Sequence, residues 1–271
     1  MSEFSNMLTA KFTGLTNDLI YYARVYTMNP ERYAQSEIGT QVGRAKPVDG
    51  QPIKNLAVGS VVSLNVGGTA TRFIVVHQGL PSSLYDSSCN GAWLLMESAY
   101  SKLIWDQLNN DYENSDAHAY LNGTFYNLFD ADTKAIIKKV KLPYRSGTGS
   151  GGTTKTGADG LPANVFLLGG YELGWTTSTN SYFPVDGAKL SYFGTGSTDT
   201  KRIGKYNGTA QNWWLRSPYT SGTGSTWHVN TTGGCTSQGI SYTYYLRPAL
   251  VLDSDAMVSK TANASGAYTV L

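Results

Sequence analysis

The sequence predicts an α+β fold: a twisted antiparallel sheet with two or three helices and long irregular loops. Three observations carry this expectation. Two β-branched runs meet at a Gly-Gly turn, a capped helical pattern covers residues 130–141, and the final third alternates short apolar pieces with Gly, Ser and Thr.

Taken in order, residues 19–26 form an apolar run rich in β-formers, and the polar stretch 29–40 has little with which to build a core of its own. Residues 1–55 are therefore expected to be an attachment or oligomerisation segment, and 56–271 a compact ligand-binding domain. Within it, residues 58–66 and 69–76 flank Gly67 and Gly68, the strongest hairpin signal in the chain. Residues 92–96 read as a third strand of the same sheet. Residues 97–108 and 117–129 carry helical spacing. Residues 130–141 give the clearest helix, with Asp130 as cap, Asp132 in the first turn, lysines in the last and Pro143 as the stop. The Gly- and Thr-rich stretch 145–160 reads as a surface loop.

Composition narrows the function. The chain has 271 residues and a net charge of +2, with no dense basic stripe; Lys138, Lys139, Lys141 and Arg145 read as decoration of a helix end. Nucleic acid is not the expected partner. No apolar stretch reaches the ~20 residues that cross a bilayer, and the first residues lack the pattern of a secretory signal, so synthesis in a cytoplasm is expected. Cys89 and Cys235 read as free thiols, with one bridge left open. Four matches to the glycosylation acceptor pattern, at Asn122, Asn207, Asn230 and Asn263, mean little without such a signal.

The candidate region, 206–245, centres on the stretch between two anchors, residues 212–218 and residues 246–252. Trp213, Trp214, Arg216 and Arg247 read as structural, the arginines tying strands together through carbonyl oxygens. The 27 residues between the anchors, 219–245, hold mostly Tyr, Trp, Thr, Ser, Asn and Gly, which supply contact area and adaptable hydrogen bonds. The expected contact residues are Tyr206, Asn207, Tyr219, Thr220, Ser221, Trp227, His228, Asn230, Ser237, Tyr242, Tyr244 and Tyr245. Strand alternation over 241–245 puts Tyr242 and Tyr244 on one face, Thr243 and Tyr245 on the other. On this reading Trp227→Ala or Tyr244→Ala weakens target binding with little change in melting temperature. Catalysis is not expected. His77, His118 and His228 are dispersed, and Glu97, Asp106, Glu172 and Asp186 do not pair. No nucleophile elbow, metalloprotease helix or phosphate loop occurs. No cofactor or metal is expected.

The run 121–127 ahead of a helix, then 165–168, Trp213–Pro218 and 246–250, resembles in order a domain common in Firmicutes and their phages. That domain is similar to the C-type-lectin fold in its formylglycine-generating-enzyme variety, which also carries the variable receptor-binding proteins of diversity-generating retroelements. Tyr245 departs from the pattern, which usually has Gly before its Arg-Pro-Ala. The calcium tripeptides of sugar-binding lectins are absent, and Cys235 stands without a second reactive cysteine nearby, so the resemblance implies neither calcium-dependent sugar binding nor formylglycine generation. It implies a non-catalytic adhesin on a phage tail, binding a host-surface protein or glycan through a candidate variable region, 206–245. A homo-oligomer, trimeric by fibre geometry, would contact other virion tail proteins. Two alternatives stay open: a structural tail or baseplate subunit that uses the same surface for assembly, and a cell-wall hydrolase. A bacterial cytoplasmic or cell-surface location is the alternative to the virion.

Overall fold

A computed structural model describes residues 50–197 and 199–271, together with the strands Ile20–Tyr22 and Val42–Arg44. The chain forms two units, residues 1–49 and 50–271. In the first, Ile20–Tyr22 pairs antiparallel with Val42–Arg44. The polar stretch 29–40, and most of the segment expected to mediate attachment, lie outside the described residues. Residues 50–55, grouped with that segment by composition, belong to the second unit: Gly50–Pro52 pairs with Met257–Ser259, and Ile53 is wholly buried.

Ten strands build the second unit's two main sheets. In chain order they are β1 (Val61–Val66), β2 (Thr69–Gly79), β3 (Gly91–Met96), β4 (Lys102–Ile104) and β5 (Trp213–Pro218), then β6 (Ser225–Val229), β7 (Cys235–Gly239), β8 (Thr243–Tyr245), β9 (Ala249–Leu252) and β10 (Ala267–Thr269). One sheet runs β9-β3-β2-β1-β10, the other β7-β6-β5-β8-β4. All neighbours are antiparallel except β1 with β10 and β5 with β8. The hairpin β1–β2 closes on Gly67 and Gly68, at φ 59° and 80°, the positive pair that a two-residue turn needs to match strand twist.

The unbroken apolar runs in β2, β3, β5 and β9 have a common cause. Each is covered on both faces, so alternation divides its side chains between two cores rather than between core and water. Phe73, Val75, Leu94, Trp214, Leu250 and Leu252 enter one core, and Ile74, Val76, Trp93, Leu95, Trp213, Leu215 and Val251 enter the other. The tandem indoles thus point in opposite directions. The helical stretch Tyr112, Leu121, Phe125 and Phe129 closes the first core. The irregular stretch Phe166, Leu168, Trp175, Phe183 and Phe193 closes the second.

The expected α+β, lectin-like arrangement with two or three helices is not what forms. The protein is mostly β, 38% strand and 15% helical, in several sheets. Residues 97–108 are not helical: β4 pairs there with β8, about 140 residues downstream, and Trp105 Nε1 donates to the Leu215 carbonyl at 2.8 Å. Over 117–129 the winding is real but changes pitch, from Asp116–Tyr120 through a π turn, Leu121–Phe125, to a 3-10 turn, Tyr126–Leu128. Asp130 does cap the next helix, accepting from the Thr133 amide at 2.8 Å, but that helix is only Ala131–Ile136. Beyond it Val140 and Leu142 are buried while Lys139 and Lys141 face out, a period of two. Val140–Leu142 accordingly pairs with Leu161–Ala163 as a ribbon. The lysines therefore edge a strand rather than close a helix. Within the expected loop 145–160, Tyr144–Ser146 pairs with Thr153–Lys155.

Among the described residues no helix is long and apolar enough to cross a membrane. Cys89 and Cys235 are both free thiols, Cys89 buried.

Candidate functional site

The second core carries a buried polar network that stiffens everything above it. Arg216 and Glu172 meet with both side chains fully enclosed, through Nη1–Oε2 at 2.6 Å and Nη2–Oε1 at 2.7 Å. The guanidinium also donates to the carbonyls of Pro143, Leu167 and Asp186. Glu172 accepts in addition from the Tyr85 hydroxyl and the Gly169 amide. Burial alone would lower the Arg216 pKa; Glu172 outweighs it and holds the group charged. Ser217 Oγ donates to Asp186 Oδ2 at 2.6 Å, while burial lifts the Asp186 carboxyl to about 6.

Two further buried arginines are held by backbone oxygens and indole faces. Arg202 donates to the carbonyls of Leu173, Gly194 and Gly196 and lies over Trp175 at 4.4 Å. Arg247 donates to those of Met96, Glu97 and Arg202 and lies over Trp213 at 5.2 Å. Burial lowers the Arg247 pKa to about 10, still charged at neutral pH.

Outside this frame opens a cleft of about 430 Å³. One wall is the ribbon Tyr144–Ser146 with Thr153–Lys155 and its connecting turn. The opposite wall is the 181–185 loop and the turn at Thr220 and Ser221. Two devices fix these walls. The Tyr182 carbonyl accepts from the Thr220 amide at 3.2 Å, the Thr220 hydroxyl at 3.1 Å and Trp227 Nε1 at 3.3 Å. Asn110, fully buried, gives its Nδ2 to the carbonyls of Tyr219, Gly222 and Ser225, and its Oδ1 accepts from the Gly149 amide. One amide side chain thereby joins both walls. Gly149, at φ 51°, comes so close to the turn that a Cβ there would lie 3.2 Å from Thr223 Cγ2. Beneath the cleft Phe183 stacks on Trp227 at 4.0 Å, and Trp175 stacks on Phe183 at 6.2 Å.

The expected contact residues do not form one surface. Tyr219, Thr220 and Ser221 gather at the cleft, with Tyr219 against Tyr182 at 4.8 Å. Tyr206 and Asn207 sit at the exposed tip of the hairpin Gly204–Tyr206/Thr209–Gln211, where Asn207 adopts φ 48°. Asn230 is half-buried and holds the 230–234 turn through its Oδ1, which accepts from the amides of Thr232 and Gly234. Ser237 is half-buried on β7, and Tyr242 is 56% exposed. Tyr244 is half-buried against Trp214 and His228, each at 4.7 Å.

Trp227, His228 and Tyr245 require correction. They are only 3%, 3% and 8% exposed, because β6 and β8 flank the doubly covered β5 and inherit its core. Trp227 packs beneath the cleft, stacked on Phe183. Tyr245 lies beneath Tyr206 at 4.9 Å. The Nδ1 atom of His228 is enclosed without a partner among the described residues, and burial lowers its pKa to about 4, so the ring is neutral at pH 7. Trp213, Trp214, Arg216 and Arg247 are all buried in the frame described above.

Residues the sequence did not single out for the cleft are Arg145, Ser150, Thr154, Ser181, Tyr182 and Val185. The available signal was Tyr182 itself, an aromatic in a polar segment just before Pro184. Several of the groups weighed for catalysis are engaged in structure. Glu97 pairs with Arg72 at 2.5 Å, and His118 lies against Tyr112. His77 Nδ1 contacts Ser191 Oγ at 2.8 Å but also accepts the Ser191 amide, and neither residue lines the cleft.

The fold and cleft together define a mostly-β domain of two five-stranded sheets with a hydroxyl-rich surface recess. The family model described as "Domain of unknown function (DUF6273)" matches residues 90–254, from the start of β3 to just beyond β9. The chain belongs to that family. No curated protein and no solved structure matches it.

Proposed function

We propose that the protein is a non-catalytic binding protein whose ligand seats in the cleft between the 145–154 ribbon, the 181–185 loop and the turn at Thr220 and Ser221. One observation carries the reading. A tyrosine that is 41% exposed, Tyr182, stands among five cleft hydroxyls, over a floor that buried stacking and a fully bonded Asn110 hold rigid. An aromatic anchor with adaptable hydroxyls, on a pre-formed support, gives affinity at low ordering cost. The order of motifs from 121 to 250, which resembles that of a domain common in Firmicutes and their phages, supports a particle-borne adhesin that reads a host-surface protein or glycan. Diversification by a retroelement would act on exposed positions such as Thr220, Ser221, Tyr206 and Tyr242; a template repeat and reverse transcriptase beside the gene test this.

The test of the site is Ser221→Trp, which fills the recess from an exposed position. Retention on a glycan array and on intact bacterial cells should be lost while the melting temperature holds. Unchanged retention would remove the cleft from consideration. Tyr206 and Tyr242, exposed away from the cleft, favour a second reading, assembly with neighbouring subunits. Sedimentation showing an oligomer that Tyr242→Lys dissociates would support it.

A further inference from the structure

Among the described residues Arg145 is the one charged side chain that lines the cleft, and it has no carboxylate partner there. Its Nη2 donates to the Gly149 carbonyl at 2.8 Å, whereas its Nε is enclosed with no acceptor. Gly152 leaves no room around it: a Cβ at that position would lie 2.8 Å from Nε. The glycine-rich turn therefore wraps and partly dehydrates the guanidinium, and that burial lowers its pKa. The contrast with Arg216, which meets a carboxylate through two bonds, is direct. A half-buried cation without a counter-ion is costly in the free protein, and an incoming anion relieves that cost. A guanidinium's planar fork matches a carboxylate especially well.

Resting on the cleft as the binding site, we infer that its ligand is a saccharide bearing a carboxylate, of the uronic-acid class. The carboxylate pairs with Arg145, the apolar face of the sugar ring lies on Tyr182, and ring hydroxyls meet Ser150, Thr154, Thr220 and Ser221. Each role matches chemistry at the site: one cation, one exposed ring and a set of neutral donors and acceptors, with no acidic side chain among the described residues lining the recess to repel the ligand. The carboxylate separates this ligand from a neutral glycan, which would leave the guanidinium as it stands.

The test is calorimetric titration of the full chain with an oligo-glucuronate, its carboxyl-reduced neutral counterpart, and inorganic phosphate. The wild type is expected to prefer the uronate over the neutral oligosaccharide by about tenfold or more, the scale of one charge-assisted hydrogen bond. Arg145→Gln should erase that preference, so that the uronate and its neutral counterpart bind alike, and Arg145→Lys should retain part of it. Equal wild-type affinities, a preference that survives Arg145→Gln, or phosphate competing as well as uronate would overturn the inference while leaving a binding cleft in place. Should neither oligosaccharide bind while cell retention still depends on Ser221, the saccharide class falls and the cleft stands. If cell retention is also indifferent to Ser221→Trp, the site reading itself falls.

Discussion

Glu172→Gln is the sharpest perturbation of the frame beneath the cleft. In the native protein both carboxylate oxygens are fully used: Oε1 accepts from Arg216 Nη2 and the Tyr85 hydroxyl, Oε2 from Arg216 Nη1 and the Gly169 amide. An amide of the same shape keeps one acceptor and places two donors against a guanidinium, with both side chains fully enclosed. Removing one partner of a buried ion pair costs about 3–5 kcal/mol, because the remaining charge stays enclosed. Pairing the change with Arg216→Met should not restore stability, since the carbonyls of Pro143, Leu167 and Asp186 then lose their donor. Urea unfolding followed by tryptophan fluorescence measures the loss directly. A loss below about 1 kcal/mol, the range typical of exposed pairs, would refute the claim that this network braces the second core.

Two further outcomes follow from burial. Trp227→Ala, expected from sequence to spare stability, should instead cost about 3–5 kcal/mol, as should Trp213→Ala, because both indoles fill the second core; thermal unfolding of the two variants checks this. Asp186 is wholly enclosed, and burial raises its carboxyl from 3.8 to about 6 against the pull of Arg216 and Ser217. Between those values the folded chain keeps a proton that the unfolded chain has released. Stability from this group is therefore full below an ordinary carboxyl pKa and lost as pH rises through about 6, by about 3 kcal/mol at ~1.36 per unit. The difference in unfolding free energy between wild type and Asp186→Asn should narrow accordingly from pH 4 to pH 7; a difference independent of pH would contradict it.

Where local pattern decides structure, the sequence was legible. The Gly67-Gly68 hairpin and the Asp130 cap follow from backbone demands that only a few residues meet. Where partners are distant, it was not. Leu103 and Ile104 fit a helical spacing, yet β4 exists because Thr243–Tyr245 arrives beside it. Residues 138–142 continue a helix by spacing, yet alternate as a strand once Leu161–Ala163 is available. The site divides along the same line. Tyr219, Thr220 and Ser221 stood out by composition, but the facing wall is brought to them by Asn110, whose bonds span up to 115 residues of sequence. Trp227 and Tyr245 looked like contact residues because tyrosine and tryptophan serve cores and recognition surfaces alike. Only the double cover of β5 assigns them inward.

The most direct measurement compares Tyr182→Ala with Tyr242→Ala, two exposed aromatic truncations, for retention on one glycan array alongside thermal unfolding. A ligand seated in the cleft predicts that Tyr182→Ala loses binding and Tyr242→Ala keeps it, with both variants as stable as the parent. Binding that survives Tyr182→Ala and disappears with Tyr242→Ala would contradict it.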